Sequence, residues 1–242
     1  MRGLVIVVWV VWAAGCGFQP AQQGVAHGDG PPAGSDGPRV VDATVTGDDA
    51  KVFLDAQPVN GSLSVTSMTL GAMDLDLSTE GSIDWAHWGY ISSNSFDDKS
   101  NGGTAISDLA ATPALMFTGA PFTASWSGGT PHPTVSGTST GVGVHQGSAM
   151  TFTVAATTTP RTLRLYVGAQ NATGRLDISL SDGSAAAQTK TLSSNSSTTN
   201  VRYTITFNAA SANQMLNVSW TDTNDSTSNP FAALLEATLA PS

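Results

Sequence analysis

From Gly61 onward the apolar positions recur with a period of two. In "SAMTFTV" Met150, Phe152 and Val154 share one face. "RTLRLYV" turns Leu163, Leu165 and Val167 to one side and Thr162, Arg164 and Tyr166 to the other, and "RLDISL" does the same with Leu176, Ile178 and Leu180 against Arg175, Asp177 and Ser179. Alternation of this kind marks half-buried strands of a sheet with one wet face. "VRYTITF" (Val201, Tyr203, Ile205, Phe207 inward) and "MLNVSW" (Leu216, Val218, Trp220 inward) repeat it. Further strands are predicted over 62–70, 114–118, 122–126, 134–144 and 231–239. "FAALLEATL", a helix by propensity, is read as a closing strand because it follows a run of strands. Two hairpins are expected, one joining 162–167 to 175–180 through "GAQNATG", the other joining 201–207 to 216–220 through "NAASANQ". In the first, the parity of the inward positions sets Leu165 against Leu176 and Arg164 against Asp177. Short strands at regular spacing, with "SGGTP", "SDGS" and "SSNSSTTN" between them, predict an all-β fold, a two-sheet antiparallel β-sandwich over 61–242.

"GSIDWAHWGY", residues 81–90, gathers two tryptophans, a histidine, an aspartate and a tyrosine into ten residues. In an unbroken strand Ile83, Trp85 and His87 point one way and Asp84, Ala86, Trp88 and Tyr90 the other, so both tryptophans cannot fill one core. Ile83 assigns Trp85 to the core and His87 to a semi-buried position beside it. Asp84, Trp88 and Tyr90 are left as a candidate ligand platform.

The chain start is of another kind. "MRGLVIVVWVVWAAGC" combines Arg2, an apolar run and the small residues Ala13, Ala14 and Gly15, which makes residues 1–15 a secretion signal too short to span a bilayer. Cys16 is the single cysteine in 242 residues, and the segment resembles the lipobox of bacterial lipoproteins. The resemblance implies that Cys16 carries the acyl chains, palmitate among them, and anchors the protein at the outer membrane or cell surface. Ala13 stands where leucine is commoner in that family. Residues 16–60 are rich in Gly, Pro, Asp, Ala and Gln and read as a flexible tether, with "VVDATV" and "KVFLDA" able to add a strand at the domain edge.

Charge narrows the function. Nine Lys and Arg against 18 Asp and Glu give a net charge of −9, which lacks the basic footprint of a nucleic-acid binder. One cysteine permits no intramolecular disulfide. No nucleophile elbow accompanies His87, His132 or His145, and the only glutamates, Glu80 and Glu236, give no paired-carboxylate signature. A non-catalytic protein is expected. Calcium, which takes oxygen ligands from loops, would find them at Asp97, Asp98 and Asn101 of "SFDDKSNGG" or at Asp222, Asn224 and Asp225 of "TDTNDSTSN"; neither is an EF-hand loop. No other cofactor is expected.

The strings "DWAHWG", "TLRLYVG" and "LSDGSA" are similar to those of a module that recurs in secreted bacterial proteins beside glycosidase or immunoglobulin-like domains. The resemblance covers roughly 62–240 and implies a jelly-roll-like accessory domain that binds polysaccharide or surface glycan. It supplies no ligand residues, and the module here has no catalytic neighbour. Two readings stand: a lipid-anchored carbohydrate-binding protein, and a structural or adhesion lipoprotein that contacts protein or envelope polymer without a discrete sugar site.

Overall fold

The computed structural model describes residues 60–110, 113, 115–195, 197–225 and 229–242. The secretion signal, Cys16, the tether and its two apolar islands lie outside the described residues. In chain order the elements are β1 (Ser62–Thr69), β2 (Asp74–Asp76), α1 (Leu77–Glu80), β3 (Asp84–Trp88), β4 (Phe96–Lys99), β5 (Leu115–Thr118), β6 (Thr123–Ser127), β7 (Gly129–Thr130) and β8 (Thr134–Thr138). They continue with β9 (Thr140–Val144), β10 (Ala149–Ala156), β11 (Arg161–Gln170), β12 (Ala172–Leu180), β13 (Gln188–Ser194), β14 (Thr199–Asn208), β15 (Gln214–Asp225) and β16 (Phe231–Pro241).

The described residues are nearly all β, as the period-two pattern requires, and their strands form three sheets where two were expected. The largest runs β1-β14-β11-β16-β3-β4-β7, with β9 on β16 and β5 on β9; the second is β10-β15-β12-β13; the third is β2-β6-β8. All pairings are antiparallel except β2 with β6.

Two apolar cores account for the third sheet. One gathers Trp88, Phe152, Leu165, Leu176, Ile205 and Trp220 with their neighbours; the other gathers Leu77, Trp85, Phe122, Trp126, Tyr166 and Leu235. The inner strands of the large sheet feed both. Leu163, Leu165 and Val167 of β11 enter the first core while Tyr166 enters the second, and β16 sends Ala232 and Leu234 to the first and Phe231, Ala233 and Leu235 to the second. A bulge between the positions opposite Tyr166 and Val167 places Leu235 and Glu236 in succession on β16, and a bulge breaks strict alternation. The bulge gives "FAALLEATL" its helix-like pattern, and the second core on the other face of the sheet buries Tyr166, which was expected to face outward.

Neither expected hairpin forms. β11 pairs with β14 and β16, and β12 with β13 and β15. A single residue, Asn171 at φ +48°, separates β11 from β12. One residue cannot reverse a chain into a two-residue hairpin loop, so the chain turns a corner and changes sheet. β14 and β15 are likewise in different sheets. Alternation is the same whether two strands lie side by side or stack across a core, so the inward sets hold while the pairings do not. Arg164 does not meet Asp177: it lies 3.4 Å from Glu80, and Asp177 lies 2.7 Å from Arg175 on its own strand. The predicted strand 134–144 is also divided, into β8 and β9 of separate sheets, with Ser139 between them taking the N–H groups of Gly119 and Ala120.

Candidate binding groove

The outward side chains of the β10-β15-β12-β13 sheet form two cross-strand rows. Thr151, Ser219, Asp177 and Thr189 stand opposite one another across all four strands. Thr153, Asn217 and Ser179 make the next row across three. Their strand neighbours Phe152, Val218 and Ile178 are buried in the core, so the same alternation that fills the core carpets the outer face with hydroxyl, amide and carboxylate groups.

Walls turn this face into a groove. The segment 105–110 runs beside β10: the Ser107 N–H donates to the Thr153 carbonyl at 2.9 Å, the Ala110 N–H to that of Thr151 at 2.9 Å, and the Thr153 N–H to Ser107 Oγ at 3.0 Å. On the other side stand Ala187, Gln188 and Thr189. The enclosed volume is 490 Å³, within the range of about 300–1,000 Å³ common for small-molecule sites. Asp177 is held in place, with Oδ2 accepting from Arg175 Nε at 2.7 Å and Oδ1 from Thr189 Oγ1 at 2.8 Å. Asn217 is exposed in the floor.

The residues singled out from the sequence are elsewhere. Trp88 is 1% exposed, its ring 5.0 Å from that of Phe152 and 6.0 Å from that of Phe96; the expectation that it faces outward is corrected, because β3 lies inside a sheet with a core on each face. Asp84 is buried too. Its carboxylate accepts the N–H groups of Trp85, Ala105 and Ile106, each at 2.8 Å, and fastens the groove wall to β3. Burial pushes it up to about 6, against those three bonds. Tyr90 alone is half-buried, edge-on to His132 and Trp126. The three therefore form no shared platform. Trp85 is buried, as assigned, but in the second core, whereas Ile83 packs against the first; His87, expected to be semi-buried, is completely buried beside Trp126.

Asp97 and Asp98 are successive residues of β4 and point to opposite faces. Asp97 is buried, 2.7 Å from His132 Nδ1, and Asn101 lies exposed in the turn beyond. The two aspartates and Asn101 do not converge on one point. In the second set Asp222 is buried, accepts the Asn224 N–H at 3.2 Å and adjoins Asp225. Among the described residues no group of three or more His, Cys, Asp or Glu is arranged to hold a metal ion.

Sequence reasoning missed a buried polar row. Register places Arg202, Tyr166, Glu236, His87 and Asp97 in one line across β14, β11, β16, β3 and β4. Glu80 joins it from α1: it accepts from the Tyr166 hydroxyl at 2.6 Å and Thr238 Oγ1 at 3.1 Å, and pairs with Arg164. Burial holds the Tyr166 hydroxyl above its ordinary value, reinforced by the Glu80 bond, and burial raises Glu236 against the opposing effect of His87, 3.6 Å away. Both glutamates thus meet in one network. The network ties α1 and the His132 loop, which cover the second core, to the large sheet; its centre, at His87 and Glu236, is buried.

Comparison with protein-family models, with curated proteins and with solved structures finds no match to this chain.

Proposed function

We propose that the protein is a lipoprotein of the bacterial cell envelope, anchored through Cys16, whose β domain is a jelly-roll-like sandwich that binds carbohydrate in the groove without catalysis. The observation that carries the reading is the pair of cross-strand polar rows. Sugar hydroxyls donate and accept at once; Ser, Thr and Asn side chains answer in both senses, and the Asp177 carboxylate accepts. Binding would rest on hydrogen bonds, since Trp85, Trp88, Trp126 and Trp220 are all buried and give no stacking surface.

A glycan array probed with the full-length protein tests this. The double variant Asn217→Ala/Thr151→Ala is expected to lose binding by at least about tenfold, the equivalent of one or two hydrogen bonds, at an unchanged unfolding midpoint. Absence of wild-type binding to every glycan on the array would overturn the reading. The anchor has its own test: Cys16→Ser should abolish incorporation of labelled palmitate and release the protein from the membrane fraction, whereas unchanged partitioning would refute lipidation.

The buried aromatic set favours a second reading, a structural or adhesion lipoprotein that contacts protein or envelope polymer over a broad surface. That reading predicts retention on purified envelope polymer that survives the groove double variant.

A further inference from the structure

We infer that the groove is one part of a longer site, which passes over Asp108 into the cavity beside Trp88 and takes an extended chain of neutral or amino-bearing sugars. The inference rests on the carbohydrate reading and specifies its ligand.

Three observations carry it. Asp108 lines both the 490 Å³ groove and a second cavity of 310 Å³ walled by Trp88, Asn94 and Ser95. Asp108 is exposed at the junction, and it is placed there firmly, because the hydrogen bonds of Ser107 and Ala110 to β10 fix the backbone on either side. One of its carboxylate oxygens accepts the Leu109 N–H at 2.6 Å.

The second observation is Trp88, which lines the second cavity while its ring is packed in the first core and only 1% exposed. A chain seated in that cavity therefore lies against the edge of the core and alters the surroundings of the ring.

The third is charge. The described lining of the two cavities carries Asp108 and Asp177 and no Lys, Arg or His, in a chain of net charge −9. Asp177 is paired with Arg175, so it is the exposed Asp108 at the junction to which a uronic acid polymer would bring like charge. A neutral sugar meets it with hydroxyl donors, and an amino sugar with an ammonium.

The full-length protein is titrated by calorimetry with neutral oligosaccharides of one to six hexoses from the type bound on the array, with an amino-sugar hexamer and with a hexagalacturonate. Affinity should rise with chain length, on the order of tenfold or more from the disaccharide to the hexasaccharide, and hexagalacturonate should not bind. Asp108→Ala and, separately, Asn94→Ala change exposed side chains; both should lower hexasaccharide affinity about tenfold and disaccharide affinity in the groove less than twofold. The hexasaccharide should move the Trp88 indole N–H resonance, and the disaccharide should not. If Asn217→Ala/Thr151→Ala abolishes binding while affinity is flat with length and Asp108→Ala is silent, the groove reading stands and the extension falls. If no sugar binds the wild type, both fall.

Discussion

Replacing Trp88 by alanine is expected to destabilise the domain by about 3–5 kcal/mol, the usual cost of deleting a large aromatic side chain from a packed core. The ring is 1% exposed and packs against Phe152 and Phe96, so the vacated space has aromatic walls on two strands that cannot both collapse into it. Tyr90→Ala should cost much less: that ring is half-buried and makes edge contacts with Trp126 and His132 at the margin of the second core. Urea unfolding followed by circular dichroism gives both numbers, and an unchanged slope would confirm that stability alone has moved. A loss below about 1 kcal/mol for Trp88→Ala would contradict the burial and return the ring to the surface, as the alternation in "IDWAHW" suggested.

That alternation was sound in what it contained. Trp85 and Trp88 do point to opposite faces, and Leu163, Leu165, Val167, Leu176, Ile178 and Leu180 are all buried. What a single strand does not carry is the identity of whatever lies on its other side. Tyr166, His87 and Trp88 look like outward or semi-exposed residues only if the large sheet has one wet face, and the second core, built from the distant segments 70–77, 117–126 and 135, removes that face. Partner choice is equally non-local. The corner at Asn171 leaves the pattern of "RLYVGAQNATGRLD" indistinguishable from that of a hairpin, because period two is blind to whether inward residues meet sideways or across a core. The groove was half legible: Thr151, Thr153, Asp177, Ser179, Asn217 and Ser219 all alternate with core residues, yet their rows exist only once the register of three or four strands is known. Asp84 and Glu80 were the hardest, since a carboxylate in a turn and one that fastens a loop read alike until its donors are in place.

Stability should fall as the pH rises from about 4 to about 7, the reverse of the usual acid denaturation. Asp84 is pushed up to about 6, chiefly by burial. Asp222 is pushed up to about 7 by burial, then by the hydrogen bond and charge of the adjoining Asp225, with His145 acting against them. Buried Glu236 moves the same way beside His87. In the unfolded chain the aspartates release their protons near 3.8. Between that point and their folded values the native state therefore holds more protons than the unfolded one, and each rise in pH favours unfolding. A tenfold difference in proton affinity between the folded and unfolded chain corresponds to about 1.4 kcal/mol, so Asp84 and Asp222 together amount to a few kcal/mol lost by neutrality, with Glu236 acting in the same direction. Asp76, lowered chiefly by the Thr79 hydroxyl, and Asp182, lowered chiefly by that of Ser184, oppose the trend only at the acid end, where stability they contribute above the unfolded value is lost as the pH drops below it. The melting temperature should thus be highest near about pH 4–5 and lower by on the order of 5 °C at pH 7.5. Asp222→Asn keeps an oxygen for the Asn224 N–H and removes the titration, so it should flatten the upper part of the slope, between about pH 6 and 7. A wild-type melting temperature that climbs steadily from pH 4.5 to 7.5 would mean that the Asp84 and Asp222 carboxylates are ionised in the fold without cost, and that their burial is compensated by contacts beyond those described.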